Sequence, residues 1–452
     1  MSPSLDRLQN TLPPLPPNFD PKVLWFMHIT SSYWLKYKNH ISHVEEHHLE
    51  RMVRIHHLAD QGKVRCLYAF RHPTTDDHFS LLHLFAKSLP AQARRMGIPL
   101  QSPAHAFFVY DRGIPLWAGG IVNWLFPRVG GIPVYRGKAD RQGMKAMREH
   151  LLNGNFPLAI APEGGTNGQS EAVANLEPGV VQLGFWTAED LQKAGRGESV
   201  VILPIGIQYE YPSQSWGPID RLLLALERDC GIDKPPPTPN DRYQRLYDLG
   251  IFLLDWVANH YQKFYPAYAQ AIDPHANLPQ RLETVIAMIL AKAEAHFQIT
   301  GKGTTVDRCR RIEQATWDQI FRVEDIRKIS ALEKGFGDQL AREASASLWH
   351  MRIAESILPI TGDYVGQHPS PSRFAEMLLL IWRVMARVQC LPFGKTPYLG
   401  QRKLILSAGE PIAISPHLPT YQANRHNAKD LVQKLTNELH SALRSLIRPS
   451  PM

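Results

Sequence analysis

Cysteine is scarce in this sequence, and the few cysteines are not grouped. The chain of 452 residues has four of them, at positions 66, 230, 309 and 390. A disulfide framework or a structural zinc site would need cysteines at short, paired spacings, which these positions do not provide. The sequence therefore predicts no disulfide and no metal site, and it favours a reducing, cytoplasmic location.

Long apolar runs are also missing. A transmembrane helix needs about 18 or more consecutive apolar residues, and the nearest run, residues 113–127, is shorter and interrupted by glycine. The proline-rich stretch at residues 12–17 has no apolar core of the kind found in a signal peptide. We therefore expect any contact with a membrane to be peripheral.

Basic residues are in excess, but they do not form a tract. The formal net charge is +8 and the isoelectric point is near 9.2. This balance favours anionic partners such as phospholipid headgroups, an acidic carrier protein or nucleic acid. A nucleic-acid-binding face would show clustered Lys and Arg with interleaved aromatic residues. The sequence has no such stretch, so we expect no nucleic-acid partner.

A Gly-x-Ser-x-Gly turn, which would supply a nucleophilic serine, is absent as well. The sequence does contain an imidazole five residues ahead of a carboxylate, His72 and Asp77. On one continuous helix the two side chains would point about 140° apart. However, the apolar run 64–70 predicts a strand, and Pro73 with the following threonines predicts a helix start. In such a strand-to-helix turn Asp77 can orient His72 as a general base, with Asp76 as the rival orienter.

Short apolar strands alternate with helical patterns between residues 64 and 211. This alternation predicts an α/β fold with a largely parallel sheet flanked by helices. Parallel strands end at one edge of their sheet, where α/β proteins bind ligands, so the turn with His72 lies where a site is expected. The predicted strands are residues 64–70, 106–109, 158–161 and 200–207, and the predicted helices are 79–96, 141–153 and 179–194.

The flanking regions are predicted to be mainly helical. Residues 40–59 have the periodicity of an amphipathic helix, which would place His43 and His47 on one face and leaves a metal-binding pair as an alternative. The residues Leu404-Ile405-Leu406 predict a return of the chain to the sheet. Between the α/β region and this return, five long helical periodicities predict a large all-helical insertion. The predicted helices are residues 241–264, 278–297, 305–321, 329–357 and 372–388.

These patterns divide the chain into four parts. They are an N-terminal leader and helix that could reach a membrane (1–60), an α/β core (61–212), a helical insertion (213–395) and a C-terminal return to the core (396–452). The core contains an apolar segment, residues 114–128, which carries Trp117 and Trp124 and ends in Arg128. We expect this segment either to insert at the headgroup level of a membrane or to form a buried helix on the sheet. It is also a candidate wall for an apolar ligand groove.

Four motifs follow one another in the core. They are Arg71-His72-Pro73-Thr74-Thr75-Asp76-Asp77, Gly130-Gly131-Ile132-Pro133-Val134-Tyr135-Arg136, Ala161-Pro162-Glu163-Gly164-Gly165-Thr166-Asn167 and Val201-Ile202-Leu203-Pro204-Ile205-Gly206. In this order they resemble the glycerolipid acyltransferase family, whose bacterial type member is 1-acylglycerol-3-phosphate acyltransferase. The resemblance covers residues 60–212 and resumes near residues 407–412. The family's first motif reads Asn-His-x4-Asp and its third reads Phe-Pro-Glu-Gly-Thr-Arg-Ser, so Arg71, Ala161 and Asn167 depart from it.

The resemblance implies an acyltransferase. Such an enzyme moves a fatty acyl group from an acyl thioester, carried by coenzyme A or by acyl carrier protein, to a hydroxyl on a lipid-like acceptor, with 1-acylglycerol-3-phosphate as the first candidate. It implies His72 as the general base, Asp77 as its orienter, and no cofactor beyond the thioester. The implied phosphate clamp is Arg136, and Glu163 would organise a loop whose backbone N–H groups face the anion. The implied substrate-binding residues are Arg136, Glu163, Gly164, Gly165 and Thr166.

Two alternatives remain open. Asn167, in the place of the family's Arg, favours an uncharged lipid alcohol or a lysophospholipid with a headgroup as the acceptor. A catalytically silent lipid-binding protein is the other alternative, and the intact pair of His72 and Asp77 argues against it. For each of these functions we expect a cytoplasmic protein that attaches peripherally to a membrane lipid surface.

Overall fold

Ten strands are formed by the residues that the structure, a computed structural model, describes, namely 5–11, 15–114, 119–135, 140–273, 275–322, 324–391 and 396–451. β1 pairs with β8, and the other eight strands form one mixed sheet. The strands are β1 (Gln9–Asn10), β2 (Ile41–His47), β3 (Val64–Phe70), β4 (Phe107–Asp111), β5 (Gly131–Val134), β6 (Leu158–Ile160), β7 (Ser199–Glu210), β8 (Phe321–Arg322), β9 (Arg402–Ala408) and β10 (Ile412–Ala413).

Most of the main sheet is parallel. Five parallel strands lie side by side in the order β7-β3-β6-β4-β5. On the other side of β7, strands β9 and β10 run antiparallel to it, and β2 lies beyond β9 and parallel to it. The predicted α/β fold is thus confirmed as a mostly parallel, mixed sheet flanked by helices. The four predicted strands are present as β3, β4, β6 and β7, and the predicted return to the sheet is β9.

The central strands are buried on both faces. Every residue of β3 from 66 to 70 and every residue of β7 from 200 to 209 is buried. Successive side chains of a strand point to opposite faces; Leu203 and Ile205 join one hydrophobic core, whereas Ile202 joins the other. Because helices cover both faces, these strands are continuous apolar runs rather than alternating ones.

Helices cover both faces of the sheet. Those that precede β7 are Pro21–Tyr33, Leu49–Asp60, Asp77–His83, Leu89–Met96, Ile121–Arg128, Arg141–Asn153 and Gly179–Lys193, with π-helical segments at Trp34–Lys38 and Leu84–Ser88. The helices between β7 and β9, which we call the helical layer, are Trp216–Asp229, Arg242–Phe264, Leu278–Phe297, Thr305–Ile320, Ala331–Ile357, Asp363–Gln367 and Pro371–Val388. Leu418–Ala423 and Arg425–Ser445 follow β10. None of the helices in the described ranges has both the length and the apolarity needed to cross a bilayer.

The five long helices predicted from periodicity are present in the helical layer, each within two residues of its predicted bounds. Three of them begin at a capping box, in which the side chain of Asn277, Thr304 or Ser330 and that of the third helical residue bond each other's backbone N–H groups. Such caps fix the first turn of a helix and mark its start in the sequence. The expectation of an exclusively helical segment is wrong at Phe321–Arg322, which form β8 and pair with β1.

Residues 40–59 do not form the single helix predicted from their periodicity. Ile41–His47 are β2, and a helix follows only after them. Residues four apart on a strand are separated by about 13 Å, so His43 and His47 do not share a helical face and the alternative of a metal-binding pair is wrong. His47 instead bonds Glu45, with 2.6 Å between Nε2 and a carboxylate oxygen. The pairing of β2 with β9, far away in the sequence, decides the structure here.

Candidate active site

His72 and Asp77 meet at the carboxyl end of β3. The distance from His72 Nδ1 to Asp77 Oδ2 is 2.8 Å. The helix after β3 begins at Asp77, so the residues between the two form the strand-to-helix turn that the sequence predicts. The Asp77 side chain is fully buried, whereas a quarter of the His72 side chain is exposed. With Nδ1 held by the carboxylate, Nε2 is the ring nitrogen available to a ligand.

The Asp77 carboxylate is fixed by three further hydrogen bonds. The Tyr209 and Thr74 hydroxyls donate to Oδ1 at 2.6 and 3.3 Å, and the Thr74 N–H donates to Oδ2 at 3.1 Å. Ser80 donates in turn to the Tyr209 oxygen, 2.7 Å away. Burial and the negative charge of Asp77 raise the pKa of Tyr209, so this phenol keeps its proton and remains a donor. The network holds the carboxylate in one orientation, as a base-orienting group requires.

The neighbouring carboxylate, Asp76, bonds Arg402 instead of His72. Arg402 Nη2 lies 2.8 Å from Asp76 Oδ2 and also donates to the Asn39 carbonyl at 2.8 Å. Arg402 begins β9, which antiparallel pairing with β7 brings to this edge of the sheet. Asp77, rather than Asp76, therefore bonds the His72 imidazole. Sequence patterns do not point to Arg402, because it lies 326 residues from Asp76 in the chain.

Glu163 joins three parts of the site. Its Oε1 accepts hydrogen bonds from the His72 backbone N–H and from Arg71 Nε, both at 3.0 Å, and its Oε2 accepts from the Ala174 N–H at 2.9 Å. The Arg71 guanidinium also donates to the carbonyls of residues 169, 170 and 172. Both side chains are buried, with at most 1% exposed. Glu163 thus organises its loop, as expected, and it also holds the backbone of His72.

Gly164 forms a tight turn in the same loop. Its φ is +68°, in the left-handed region that favours glycine. The Gly164 N–H donates to the Ala161 carbonyl at 3.3 Å. It is therefore used within the turn and does not face a ligand, which corrects the expectation for this residue. Gly165 and Thr166 line the adjoining cleft and remain candidate donors to an anion.

Two other positions of the family resemblance bear on the charge of the site. Arg136, the predicted phosphate clamp, lies outside the described residues, so its role stays a prediction. Asn167, in the place of the family's Arg, is used within the loop. Its amide donates to the Ala172 carbonyl at 2.5 Å, and its oxygen accepts from the Gln169 N–H at 3.0 Å. Asn167 therefore braces the loop and brings no charge to the site.

A cleft of about 2300 Å³ opens at this edge of the sheet. His72, Tyr209 and residues 164–166 line its polar floor, and the helical layer lines one side. Single ligand pockets usually measure about 300–1000 Å³, so the cleft has room for two substrates. Part of its wall is apolar and includes Phe26, Phe79, Val122, Leu125 and Phe126.

The apolar segment 114–128 contributes to that wall. Its described helix, Ile121–Arg128, packs Phe126 against Tyr110 with ring centroids 4.9 Å apart. Trp124 is nevertheless 50% exposed, so the helix is neither fully buried nor fully exposed. Trp117 lies outside the described residues.

The helical layer is joined to the Glu163 loop through a buried carboxyl group, Glu376. Its Oε1 accepts from the Ser170 N–H at 3.0 Å, and its Oε2 accepts from the Tyr364 hydroxyl at 2.5 Å. Nearby, Glu171 Oε2 lies 2.9 Å from Arg373 Nε. Burial raises the pKa of Glu376 to about 7. The loop beside the candidate base is thus bound to the helical layer through two buried carboxyl groups, those of Glu376 and Glu171.

The raised pKa of Glu376 predicts a pH-dependent stability. Because the pKa is about 7 in the folded protein and 4.5 ordinarily, the protonated carboxyl favours the fold, and this contribution is lost as the pH rises from 4.5 through 7. We expect the unfolding free energy of the wild type, relative to Glu376→Gln, to fall by about 1 to 3 kcal/mol between pH 5 and pH 8. Denaturant unfolding at the two pH values measures this difference. Parallel pH dependences in the two proteins would contradict the prediction.

The described contacts bring His72, Asp77 and Glu163 together at one edge of the sheet. Within the described ranges, no group of three or more His, Cys, Asp or Glu side chains could hold a metal ion. No protein-family model and no curated protein matches this chain.

Proposed function

We propose that this protein is an acyltransferase that moves a fatty acyl group from an acyl thioester to a hydroxyl group of a lipid-like acceptor. The observation that supports this best is an imidazole held through Nδ1 by a buried carboxylate, on the floor of a large cleft with an apolar wall. In this proposal the sheet is a glycerolipid acyltransferase-like core, and residues 213–395 are a helical insertion into it. 1-Acylglycerol-3-phosphate is the first candidate acceptor.

The proposed reaction needs a base but no nucleophile from the protein. His72 Nε2 takes the proton of the acceptor hydroxyl while the hydroxyl oxygen attacks the carbonyl carbon of the thioester. A C–O bond forms and the carbonyl oxygen becomes an oxyanion. When that intermediate collapses, the C–S bond breaks and the thiolate leaves with the proton from the His72 imidazolium. Asp77 stabilises the imidazolium and keeps the proton on Nδ1.

A different acceptor is the second candidate. Asn167 uses both ends of its amide inside the loop, so the third motif supplies no cation for a phosphate. This favours a lipid alcohol or a lysophospholipid with a headgroup. A catalytically silent lipid-binding protein would not need His72 Nδ1 at bonding distance from a buried carboxylate, so this pair argues against that alternative.

The proposal can be tested with a labelled acyl group, carried by coenzyme A or by acyl carrier protein, and a panel of acceptors. The panel contains lysophosphatidate, lysophosphatidylcholine and a long-chain alcohol, and His72→Ala is the control protein. If the wild type, but not His72→Ala, transfers the acyl group to lysophosphatidate, the first candidate acceptor is supported. Transfer to lysophosphatidylcholine or to the long-chain alcohol supports the second. Binding of the lipids without transfer to any acceptor would identify a lipid-binding protein instead.

We further propose that the enzyme acts at a membrane surface. The helix Pro21–Tyr33 and the segment after it expose an aromatic surface beside the cleft. Its members, with the exposed fraction of each, are Trp25 (62%), Phe26 (55%), Ile29 (53%), Tyr33 (59%), Tyr37 (60%) and, from the adjoining helix, Trp124 (50%). Lys22, Lys36 and Lys38 are exposed around it. Aromatic residues with flanking cations suit the headgroup boundary of an anionic bilayer.

This surface predicts the effect of a double substitution. Trp25→Ser with Trp124→Ser should weaken binding to anionic vesicles on the order of tenfold, because two large apolar groups no longer leave water. The melting temperature should stay unchanged, since both side chains are already exposed. A flotation assay beside thermal unfolding measures both. Trp256→Ser is the matched control, because Trp256 is 49% exposed on the helical layer. A stable double variant that floats like the wild type would contradict the prediction.

A further inference from the structure

Three arginines of the helical layer face the cleft. Arg352 lies on the helix Ala331–Ile357, and Arg383 and Arg387 lie on the helix Pro371–Val388; all three line the cleft. Two carboxylates lie among them, Glu313 and Glu355, and both form ion pairs with Arg352. Within this cluster the cations therefore outnumber the anions.

Arg383 is the member that the fold does not neutralise. Within the part of the chain that the structure describes, its guanidinium has no hydrogen bond or ion pair, although the side chain is half-buried. Burial lowers the pKa of Arg383, and Glu355 only partly offsets this. Burial and repulsion from Arg352 lower the pKa of Arg387 to about 10, although Glu355 attracts this cation. Partly desolvated cations that repel each other destabilise a fold unless an anion joins them.

The position of Arg383 relates this cluster to the candidate active site. Leu380 packs on the Glu163 loop so closely that a Cβ at Gly168 would lie 2.6 Å from Leu380 Cδ2. Arg383 follows Leu380 by three residues, about 4.5 Å along the helix axis. The backbone of Arg383 therefore lies within one helical turn of the residue that packs on this loop, and both Arg383 and Gly168 line the cleft.

We propose that Arg383, with Arg352 and Arg387 beside it, binds the phosphate group of one of the two substrates. Guanidinium groups suit this ligand, because their paired N–H donors match the geometry of phosphate oxygens. The identity of the substrates rests on the proposed acyltransferase function, but phosphate binding by these side chains does not. Two sources of the phosphate fit the chemistry, a phosphorylated acceptor and the phosphate groups of an acyl thioester donor.

Thermal unfolding in the presence of inorganic phosphate tests the site without any activity. Compared with chloride at the same ionic strength, phosphate should raise the melting temperature of the wild type. It should not raise the melting temperature of Arg383→Gln. Arg342→Gln is the matched control, because it removes the same charge from an exposed position on the helix of Arg352. Without phosphate, Arg383→Gln should melt at the wild-type temperature or above it. A lower melting temperature, or a phosphate response like that of the wild type, would overturn the proposal.

Kinetics with the full-length chain identify the source of the phosphate. Loss of one charge-assisted contact should raise the KM of the substrate that carries the phosphate about 10- to 150-fold. A rise for lysophosphatidate alone assigns the site to the acceptor, and a rise for acyl-coenzyme A alone assigns it to the donor. Unchanged KM values for both, in an active Arg383→Gln protein, would show an adventitious anion site and overturn the proposal. If neither the wild type nor Arg383→Gln transfers an acyl group to any acceptor, the proposed acyltransferase function fails. The effect of phosphate on the melting temperature still shows whether these arginines bind phosphate.

Discussion

Acyl transfer should fall on the order of 10²- to 10⁴-fold in His72→Ala, because the variant lacks the general base that we propose for the acceptor hydroxyl. The fold should survive. The imidazole is partly exposed and contributes one hydrogen bond to Asp77, and that carboxylate keeps its donors on Tyr209 and Thr74. Initial rates with labelled acyl-coenzyme A, beside the melting temperature, measure both effects. Near-normal turnover in His72→Ala would show that the base is another group.

The two adjacent carboxylates provide a matched control for the orienting role. Asp77→Asn should be severe, because an amide in place of the carboxylate no longer favours the proton on Nδ1. Asp76→Asn changes the same group one residue away, but its partner is Arg402. We therefore expect it to keep most of the activity. The pH dependence of kcat separates the two possible causes. An effect on the imidazole shifts the pH at which kcat changes, whereas a loss of folded protein lowers kcat by the same factor at every pH. Equal losses in the two variants would point to a general disturbance of the turn.

Glu163→Gln should destabilise the protein by about 3–5 kcal/mol, because it leaves the cation of Arg71 buried without its counter-ion. Both side chains are almost fully buried, so water cannot replace the lost charge. Activity should fall as well, since the same carboxylate accepts the backbone N–H of His72. Denaturant unfolding measures the free energy.

An exposed ion pair serves as the control for Glu163→Gln. Arg327 pairs with Asp325 but is 81% exposed, so Arg327→Gln should leave the unfolding free energy almost unchanged. A double-variant cycle with Arg71→Met and Glu163→Gln then isolates the coupling between the two buried groups. If Glu163→Gln unfolds at the same denaturant concentration as the wild type, the buried pair contributes nothing to stability.

Local geometry explains what the sequence could predict about the site. His72 and Asp77 are five residues apart, and the chemistry of one turn is enough to bring them together. The long helices of the helical layer were predictable for the same reason, because their periodicity is local, and capping residues such as Thr304 and Ser330 directly precede two of them. Glu163 could be predicted to organise its loop, but its partner Arg71 lies 92 residues away and is not indicated by any local pattern.

The remaining features depend on pairing between distant segments. Tyr209 reaches Asp77 across 132 residues because β7 extends three residues past its predicted end and lies beside β3. Residues 41–47 have a helical periodicity, yet they form a strand that pairs with β9, about 360 residues away. The unneutralised charge of Arg383 appears only after the neighbouring helices have been placed.

The pairing of β2 with β9 also sets the order in which this chain can fold as it is synthesised. Ile41 is paired with Arg402, so about 360 residues must be added after the first strand of the pair before the second exists. At about 5–20 residues per second, that takes roughly 20 to 70 s. β7 ends at Glu210, so while about the last 190 of these residues are added, its antiparallel side is an open edge that can pair with strands of other nascent chains. The ribosome-bound protein therefore carries an open sheet edge, and we expect a chaperone that shields this edge to raise the yield of folded protein.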